Sequence, residues 1–131
     1  MIVVDASAFT QMLVYSGERG VRARKVVARD TEWCAPEHWK AEVFSAIRGL
    51  VLGGHLAQET ARRAIEQLPR IVVDHVGVDG LLPLMWQLRN EVSGYDAAYV
   101  ALARQRHLTL VTADGRLARA AVRHCRVEQV G

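Results

Sequence analysis

The chain has 131 residues, half of them hydrophobic, and a formal net charge of +3. This length can bury one hydrophobic core but is too short for two ordinary domains, so we expect a single domain over residues 1–131. No apolar run is long enough to cross a bilayer and no basic segment precedes an apolar one at the start, which argues against a membrane span or a secretory signal and predicts a cytoplasmic protein.

Short β-branched runs alternate with longer helical segments along the chain. The predicted elements in chain order are a strand at residues 2–4, helices at 6–14 and 18–29, a strand at 32–35, helices at 37–52 and 56–68, a strand at 71–73, helices at 79–91 and 96–106, a strand at 108–112, a helix at 114–123 and a strand at 126–130. We expect Pro36 to close the second strand and to suit the start of the third helix, and Pro69 to end the fourth helix. The alternation predicts an α/β fold in which a mostly parallel central sheet of four to five strands is flanked by helices.

Four carboxylates interrupt or directly follow apolar stretches, namely Asp5, Glu42, Asp96 and Asp114. A carboxylate in such surroundings must be capped, paired or bound to a metal, because burying its charge alone is too costly. Asp5 and Asp114 follow predicted strands, and the site of an open parallel sheet lies beyond the carboxyl ends of its strands. We therefore expect the four acids to converge on one pocket, where hard oxygen ligands favour Mg²⁺ or Mn²⁺ over zinc.

Each of these acids also has a purely structural interpretation. Asp5 and Asp114 can cap the helices that follow them. Asp96 can be the acidic member of a capping box opened by Ser93, and Glu42 can lie on the solvated stripe of its helix. The individual residues leave these alternatives open.

The charge balance suggests a polyanionic partner. If four of the fourteen acids are gathered in one site, ten acids remain against seventeen Lys and Arg on the rest of the surface. Such a surface attracts nucleic acid, although a solvated, arginine-rich exterior is an equally good interpretation of charge alone.

Four segments carry a family resemblance that spans the whole chain. They are Ile2-Val3-Val4-Asp5-Ala6-Ser7, Ala35-Pro36 leading to Glu42-Val43, Tyr95-Asp96-Ala97-Ala98-Tyr99-Val100-Ala101-Leu102-Ala103, and Leu110-Val111-Thr112-Ala113-Asp114-Gly115-Arg116-Leu117. In this order they resemble the PIN-domain ribonucleases, in particular the VapC toxins of type II toxin-antitoxin pairs. The resemblance implies a single PIN domain, folded as a three-layer sandwich.

The resemblance also implies an activity and a set of site residues. It implies an Mg²⁺-dependent (or Mn²⁺-dependent) endoribonuclease that hydrolyses RNA phosphodiester bonds, with tRNA or rRNA as its substrate. The catalytic and metal-binding residues would be Asp5, Glu42, Asp96 and Asp114. Ser7 and Thr112 would orient carboxylates, waters or a substrate phosphate. Arg116 stands where some relatives carry a further acid, so a second metal ion is in doubt and Arg116 either contacts the RNA backbone or is a surface arginine.

The partners implied by the resemblance are a second copy of the chain, in a homodimer, and a cognate VapB-type antitoxin. The C-terminal segment of such an antitoxin lies in a groove near the acids. The helices around Val14 and over residues 43–52 are candidates for these contacts, because they offer more apolar positions than one buried stripe requires.

Two other function classes compete with this interpretation. A HAD-like phosphohydrolase also places an Asp after its first strand, but Ser7 stands where that chemistry needs a second Asp, and Lys25 and Lys40 both precede the later strands. A catalytically inert PIN module that binds RNA or protein is the second alternative, and the presence of all four acids argues against it.

Overall fold

The protein is described over residues 1–131 by a computed structural model with five strands and seven α-helices. The strands are β1 (Ile2–Val4), β2 (Trp33–Pro36), β3 (Asp74–Val76), β4 (Leu110–Thr112) and β5 (Val127–Gln129). The helices are α1 (Ala6–Val14), α2 (Glu18–Val27), α3 (Trp39–Leu52), α4 (Gln58–Gln67), α5 (Leu82–Gln87), α6 (Gly94–Arg106) and α7 (Gly115–Ala121). Two short 3₁₀ turns, Leu68–Arg70 and Asp79–Leu81, precede β3 and α5.

The strands form one sheet in the order β3-β2-β1-β4-β5, and every neighbouring pair is parallel. The central strand β1 pairs with β2, where Val3 lies opposite Cys34, and with β4, where Val4 lies opposite Val111. Both valines are fully buried, as expected for a parallel strand that is covered on both faces.

Helices cover the sheet on both sides. On one side α1 packs against α2, α3 and α4. On the other side α6 lies across β1, β2 and β4, and every residue from Ala97 to Ala103 is buried. Four of those seven residues are alanines, whose small side chains let a fully buried helix approach the sheet closely. The predicted α/β fold, a mostly parallel sheet between helical layers, is confirmed.

Several predicted boundaries are wrong, and prolines account for two of the errors. Pro36 ends β2 instead of opening a helix, because the amide of the next residue, Glu37, continues the ladder by donating to the Val76 carbonyl at 2.8 Å. Pro83 divides the helix predicted at 79–91, because its ring removes a backbone donor, and α5 begins at the preceding residue, Leu82.

The third strand lies three residues later than predicted. Asp74–Val76 pairs with Cys34–Pro36, whereas the apolar run at 71–73 only leads into the strand. Val72 in that run is 88% exposed, while Ile71 and Val73 pack against the core. No helix combines the length and apolarity needed to cross a bilayer.

Candidate active site

The crevice between β1 and β4 is where this topology favours a site. The chain leaves β1 towards one edge of the sheet and leaves β4 towards the other, and ligands of such sheets bind at the point where the strand order reverses. Asp5 directly follows β1, and Asp114 lies two residues after β4. The first turns of α3 and α6 add Glu42 and Asp96.

Asp5 is a buried carboxylate held by three hydrogen bonds. Its Oδ1 accepts from the Ser7 hydroxyl at 2.7 Å and from the Ala8 amide at 2.9 Å. Its Oδ2 accepts from the Thr112 hydroxyl at 2.6 Å. Burial raises the pKa of Asp5 to about 6, and the negative charge of Asp96 adds to that increase, whereas the three hydrogen bonds oppose it.

Ser7 and Thr112 also fix the turn that follows β4. The Ala113 amide donates to Ser7 Oγ at 2.9 Å, and the Asp114 amide donates to Thr112 Oγ1 at 3.0 Å. Each hydroxyl has one proton, and both protons are directed to Asp5, so the 3.2 Å contact between the two hydroxyl oxygens is not a third full hydrogen bond. The two side chains therefore tie the carboxyl ends of β1 and β4 together.

The capping interpretations of Asp5 and Asp114 are correct. Asp5 is the N-cap of α1, and Asp114 is the N-cap of α7, where its Oδ1 accepts from the amides of Arg116 and Leu117 at 2.9 and 3.3 Å. The other carboxylate oxygen of Asp114, Oδ2, has no hydrogen-bond partner in the protein. Capping thus fixes one carboxylate oxygen of Asp114 and leaves the other free to bind a ligand.

Asp96 is the electrostatic centre of the group. Burial raises its pKa, the nearby charge of Asp114 raises it further, and a hydrogen bond with Ser93 opposes the change. The charge of Asp96 in turn raises the pKa values of both Asp5 and Glu42. Ser93 caps α6 by accepting from the Asp96 amide at 3.4 Å, but the Asp96 carboxylate does not return a bond to the Ser93 amide, so the predicted capping box is only half formed.

Glu42 is half-buried at the start of a helix face that is otherwise solvated, because Ser45 and Ala46 on the same face are exposed. His38 Nε2 lies 3.0 Å from Glu42 Oε1, but the geometry between these two atoms is poor for a hydrogen bond. The Tyr99 hydroxyl oxygen nearby also lacks a well-directed hydrogen-bond partner. Burial raises the pKa of Glu42, and the negative charge of Asp96 raises it further. Interactions with Tyr99 and His38 lower the pKa of Glu42. A buried carboxylate oxygen without a donor is the kind of acceptor that a cation satisfies.

The donor set fits a hard divalent cation, although the side chains do not form a closed cage. All four acids supply oxygen, and Asp96 couples electrostatically to each of the other three. No group of three or more Asp, Glu, His or Cys side chains is close enough to hold an ion as the side chains stand. Like charges repel one another, and binding of a divalent cation would offset the repulsion among these carboxylates.

The remaining predicted residue, Arg116, contributes its backbone amide to the cap of α7, while its guanidinium is exposed and has no hydrogen-bond or ion-pair partner. The sequence indicated no role for His38 or Tyr95. His38 is four residues before Glu42, and residues at this spacing share one helix face, so the spacing was a signal for their contact.

Comparison with known proteins agrees with the fold. Residues 2–123 match the PIN domain family. Ribonuclease VapC9 of Mycobacterium tuberculosis is 36% identical over 130 residues, which cover 99% of this chain and 98% of that protein. Ribonuclease VapC3 of the same organism is 39% identical over 119 residues, covering 91% and 86% of the two chains. The crystal structure of M. tuberculosis VapC20, described as a Sarcin-Ricin loop cleaving toxin, superposes with a TM-score of 0.68 at 20% identity and covers 92% of this chain and 95% of that one.

Proposed function

The chain belongs to the PIN-domain family and is related over nearly its full length to VapC ribonucleases, and on that premise we propose that it is an Mg²⁺- or Mn²⁺-dependent endoribonuclease toxin. The proposal is supported by two observations. Asp5 and Asp114 follow the neighbouring strands β1 and β4, while Glu42 and Asp96 lie on the first turns of α3 and α6. The charge of Asp96 is also coupled to those of the other three acids. The family match favours this proposal over a HAD-like phosphohydrolase.

The four carboxylates are proposed to bind the cation and to position an RNA phosphate beside it. A divalent cation bound there supplies Lewis-acid stabilisation of the charge that builds up on the phosphate, and it activates the attacking water. Asp5 is oriented by Ser7 and Thr112 on opposite oxygens, so it meets the cation in a fixed geometry. Glu42 and Asp96 lie on the first turns of separate helices and would supply further carboxylate oxygens to hold the cation.

RNA is the proposed substrate. Apart from the four acids the chain has seventeen Lys and Arg against ten acids, which favours a polyanion. The exposed guanidinium of Arg116, two residues beyond Asp114, is available to contact a phosphate of the bound strand. The crystal structure of VapC20 is described as that of a Sarcin-Ricin loop cleaving toxin, so a single-stranded or loop region of rRNA or tRNA is a suitable target to propose. Such RNA is found in the cytoplasm, which is the proposed compartment.

An antitoxin partner is proposed to lie in a groove between α3 and α4. This groove has a volume of about 270 Å³ and an apolar lining that includes Phe44, Leu52 and Ile65, and Phe44 and Leu52 are 51% and 67% exposed. Glu42 is also on α3, but it lines a different cavity. Val14, the other sequence-based candidate, is buried in the core, so its side chain offers no such surface. We further propose that the toxin is a homodimer, as the family resemblance implies.

Removing single charges from the site tests the proposed activity. Asp5→Asn and Asp96→Asn should each reduce Mg²⁺-dependent cleavage of cellular RNA by more than about 100-fold, because even residues that only orient a metal ligand cost 10- to 100-fold when lost. Asn is a good N-cap, so helix α1 should persist in Asp5→Asn. Cleavage would be followed by sequencing of new 5′ ends, and folding by circular dichroism.

Asp74→Asn is the matched control, because it removes an equal charge from an exposed position on β3 and breaks only a surface ion pair with Arg106. It should retain wild-type cleavage. RNA binding without any cleavage by the wild-type protein would instead favour the inert binding module, and equal losses in all three variants would refute the assignment of the acids.

A further inference from the structure

Two cavities meet at a pair of aromatic rings beside the acidic site. One has a volume of about 480 Å³ and is lined by His38, Ala41, Glu42, Ser45, Ala46 and Tyr95. The other has a volume of about 430 Å³ and also has His38 and Tyr95 in its wall. The first cavity thus opens onto Glu42, one of the four carboxylates.

Tyr95 is the exposed member of the pair and immediately precedes Asp96 in α6. The residue is 67% exposed although it is large and aromatic, and its hydroxyl has no hydrogen-bond partner in the protein. Its ring centroid lies 5.2 Å from that of His38, which in turn meets the buried ring of Tyr99 edge-on at 5.7 Å. The exposed Tyr95 ring therefore packs on the His38 ring, which packs on the Tyr99 ring, and it lies at the capped N-terminus of α6.

This placement suits an unpaired nucleobase. The nucleotides on either side of a phosphate bound at the carboxylates must extend away from them, and the larger of the two cavities beside Tyr95 begins at Glu42. Proteins that bind single-stranded RNA stack its bases on aromatic side chains and read base edges with nearby polar groups. Ser45 and Glu37, in the walls of the two cavities, provide such polar groups.

We propose that Tyr95, supported by His38, is a base-stacking residue that holds one unpaired RNA base next to the scissile phosphate and so contributes to the choice of cleavage site. This inference rests on the proposed function only in taking single-stranded RNA as the substrate. The stacked base binds equally in the ground state and the transition state, so its loss should raise KM more than it lowers kcat.

A double-mutant-style comparison, in which the Tyr95 side chain and the RNA bases are removed in turn, tests the inference by binding alone and does not require cleavage. Fluorescence anisotropy in EDTA would measure the affinity of the full chain for a labelled single-stranded RNA oligonucleotide of mixed sequence and for an abasic oligonucleotide of the same length. Tyr95→Ala should weaken RNA binding by about 5-fold or more, the lower end of what one stacked base contributes, and should leave abasic binding unchanged. Tyr95→Phe keeps the ring and should retain wild-type affinity for RNA.

Trp86→Ala is the matched control, because Trp86 is also 67% exposed but lines neither of these two cavities. It should leave both affinities unchanged. An equal loss on RNA and abasic probes, no loss on either, or a loss of antitoxin binding alone would overturn the proposal.

The outcome for cleavage is separate. If the wild-type chain binds RNA but does not cut it with Mg²⁺ or Mn²⁺, the proposed nuclease activity fails while the anisotropy result still decides the role of Tyr95. If it does cut, sequencing of cleavage sites in a randomised RNA should show a base preference at one flanking position that Tyr95→Ala loses. An unchanged preference in Tyr95→Ala would overturn the proposal.

Discussion

At the scale of single residues, the structure explains why Asp5 can remain in a buried position. Two hydroxyls and one amide direct protons at its oxygens, and the same two hydroxyls hold the turn before Asp114. The resemblance placed Ser7 and Thr112 near the acids, but no pattern in the sequence reveals which oxygen each one binds. That detail depends on pairing of β1 with β4, which are more than a hundred residues apart.

Thr112→Val tests this network, because valine has nearly the same shape but lacks the hydroxyl. The change leaves Asp5 Oδ2 and the Asp114 amide without partners and should destabilise the fold by about 1–3 kcal/mol. It should also reduce cleavage about 10- to 100-fold, as expected for loss of a group that orients a metal ligand. Urea unfolding and RNA cleavage assays would measure the two effects.

Thr112→Ser is the control, because it keeps the hydroxyl and loses only a methyl group. It should stay within about 1 kcal/mol of wild type and keep most of the activity. Full activity in Thr112→Val would show that Asp5 does not need this hydrogen bond for function.

At the scale of elements, boundaries were predicted best where a local signal was strong. The bounds of β1 and α1 are correct, because an unbroken β-branched run is followed by an Asp that caps a helix. The third strand was misplaced because its register is set by contact with β2, and Asp74 and His75 carry no local strand signal. Pro36 does end β2 as predicted, but α3 begins only at Trp39, because a proline that ends a strand need not open a helix.

The corner between α1 and α2 depends on a glycine. A Cβ atom on Gly20 would lie 1.7 Å from the Tyr15 carbonyl oxygen, and Arg24 donates to that oxygen and to the Met12 carbonyl at 2.9 and 2.8 Å. Gly20→Ala would force the two helices apart and should cost about 1–3 kcal/mol of unfolding free energy. Thermal or urea unfolding would measure this loss.

Gly49→Ala is the comparison variant, because Gly49 is also inside a helix but has no atom within 4 Å of the added methyl group. It should stabilise the protein by up to about 1 kcal/mol, the difference in helix propensity. If both substitutions changed stability in the same direction, close packing at the corner would not be what requires Gly20.

At the scale of the whole molecule, the sheet order brings together side chains that are far apart in sequence. Strand-helix alternation predicted the parallel sheet, and the rule for parallel sheets predicted the edge at which Asp5 and Asp114 meet. Alternation alone did not predict that β4 inserts beside β1, and helical periodicity did not reveal that Tyr95 lies beside His38. That contact arises because the first turns of α3 and α6 lie close together in the fold.

The charge distribution follows from the same topology. The acids gathered at the sheet end repel one another, while the rest of the surface is basic. Cation binding should draw the carboxylates together, and because it favours the folded state it should raise the melting temperature by mass action.

The most direct measurement of the central claim is therefore a titration of the metal-free protein with Mn²⁺, followed by calorimetry and by the melting temperature. We expect wild type and Asp74→Asn to bind Mn²⁺ and to melt at higher temperature in its presence, whereas Asp96→Asn should lose both responses. Equal binding by wild type and Asp96→Asn, or no binding by wild type at millimolar Mn²⁺, would contradict the assignment of these carboxylates as a metal site.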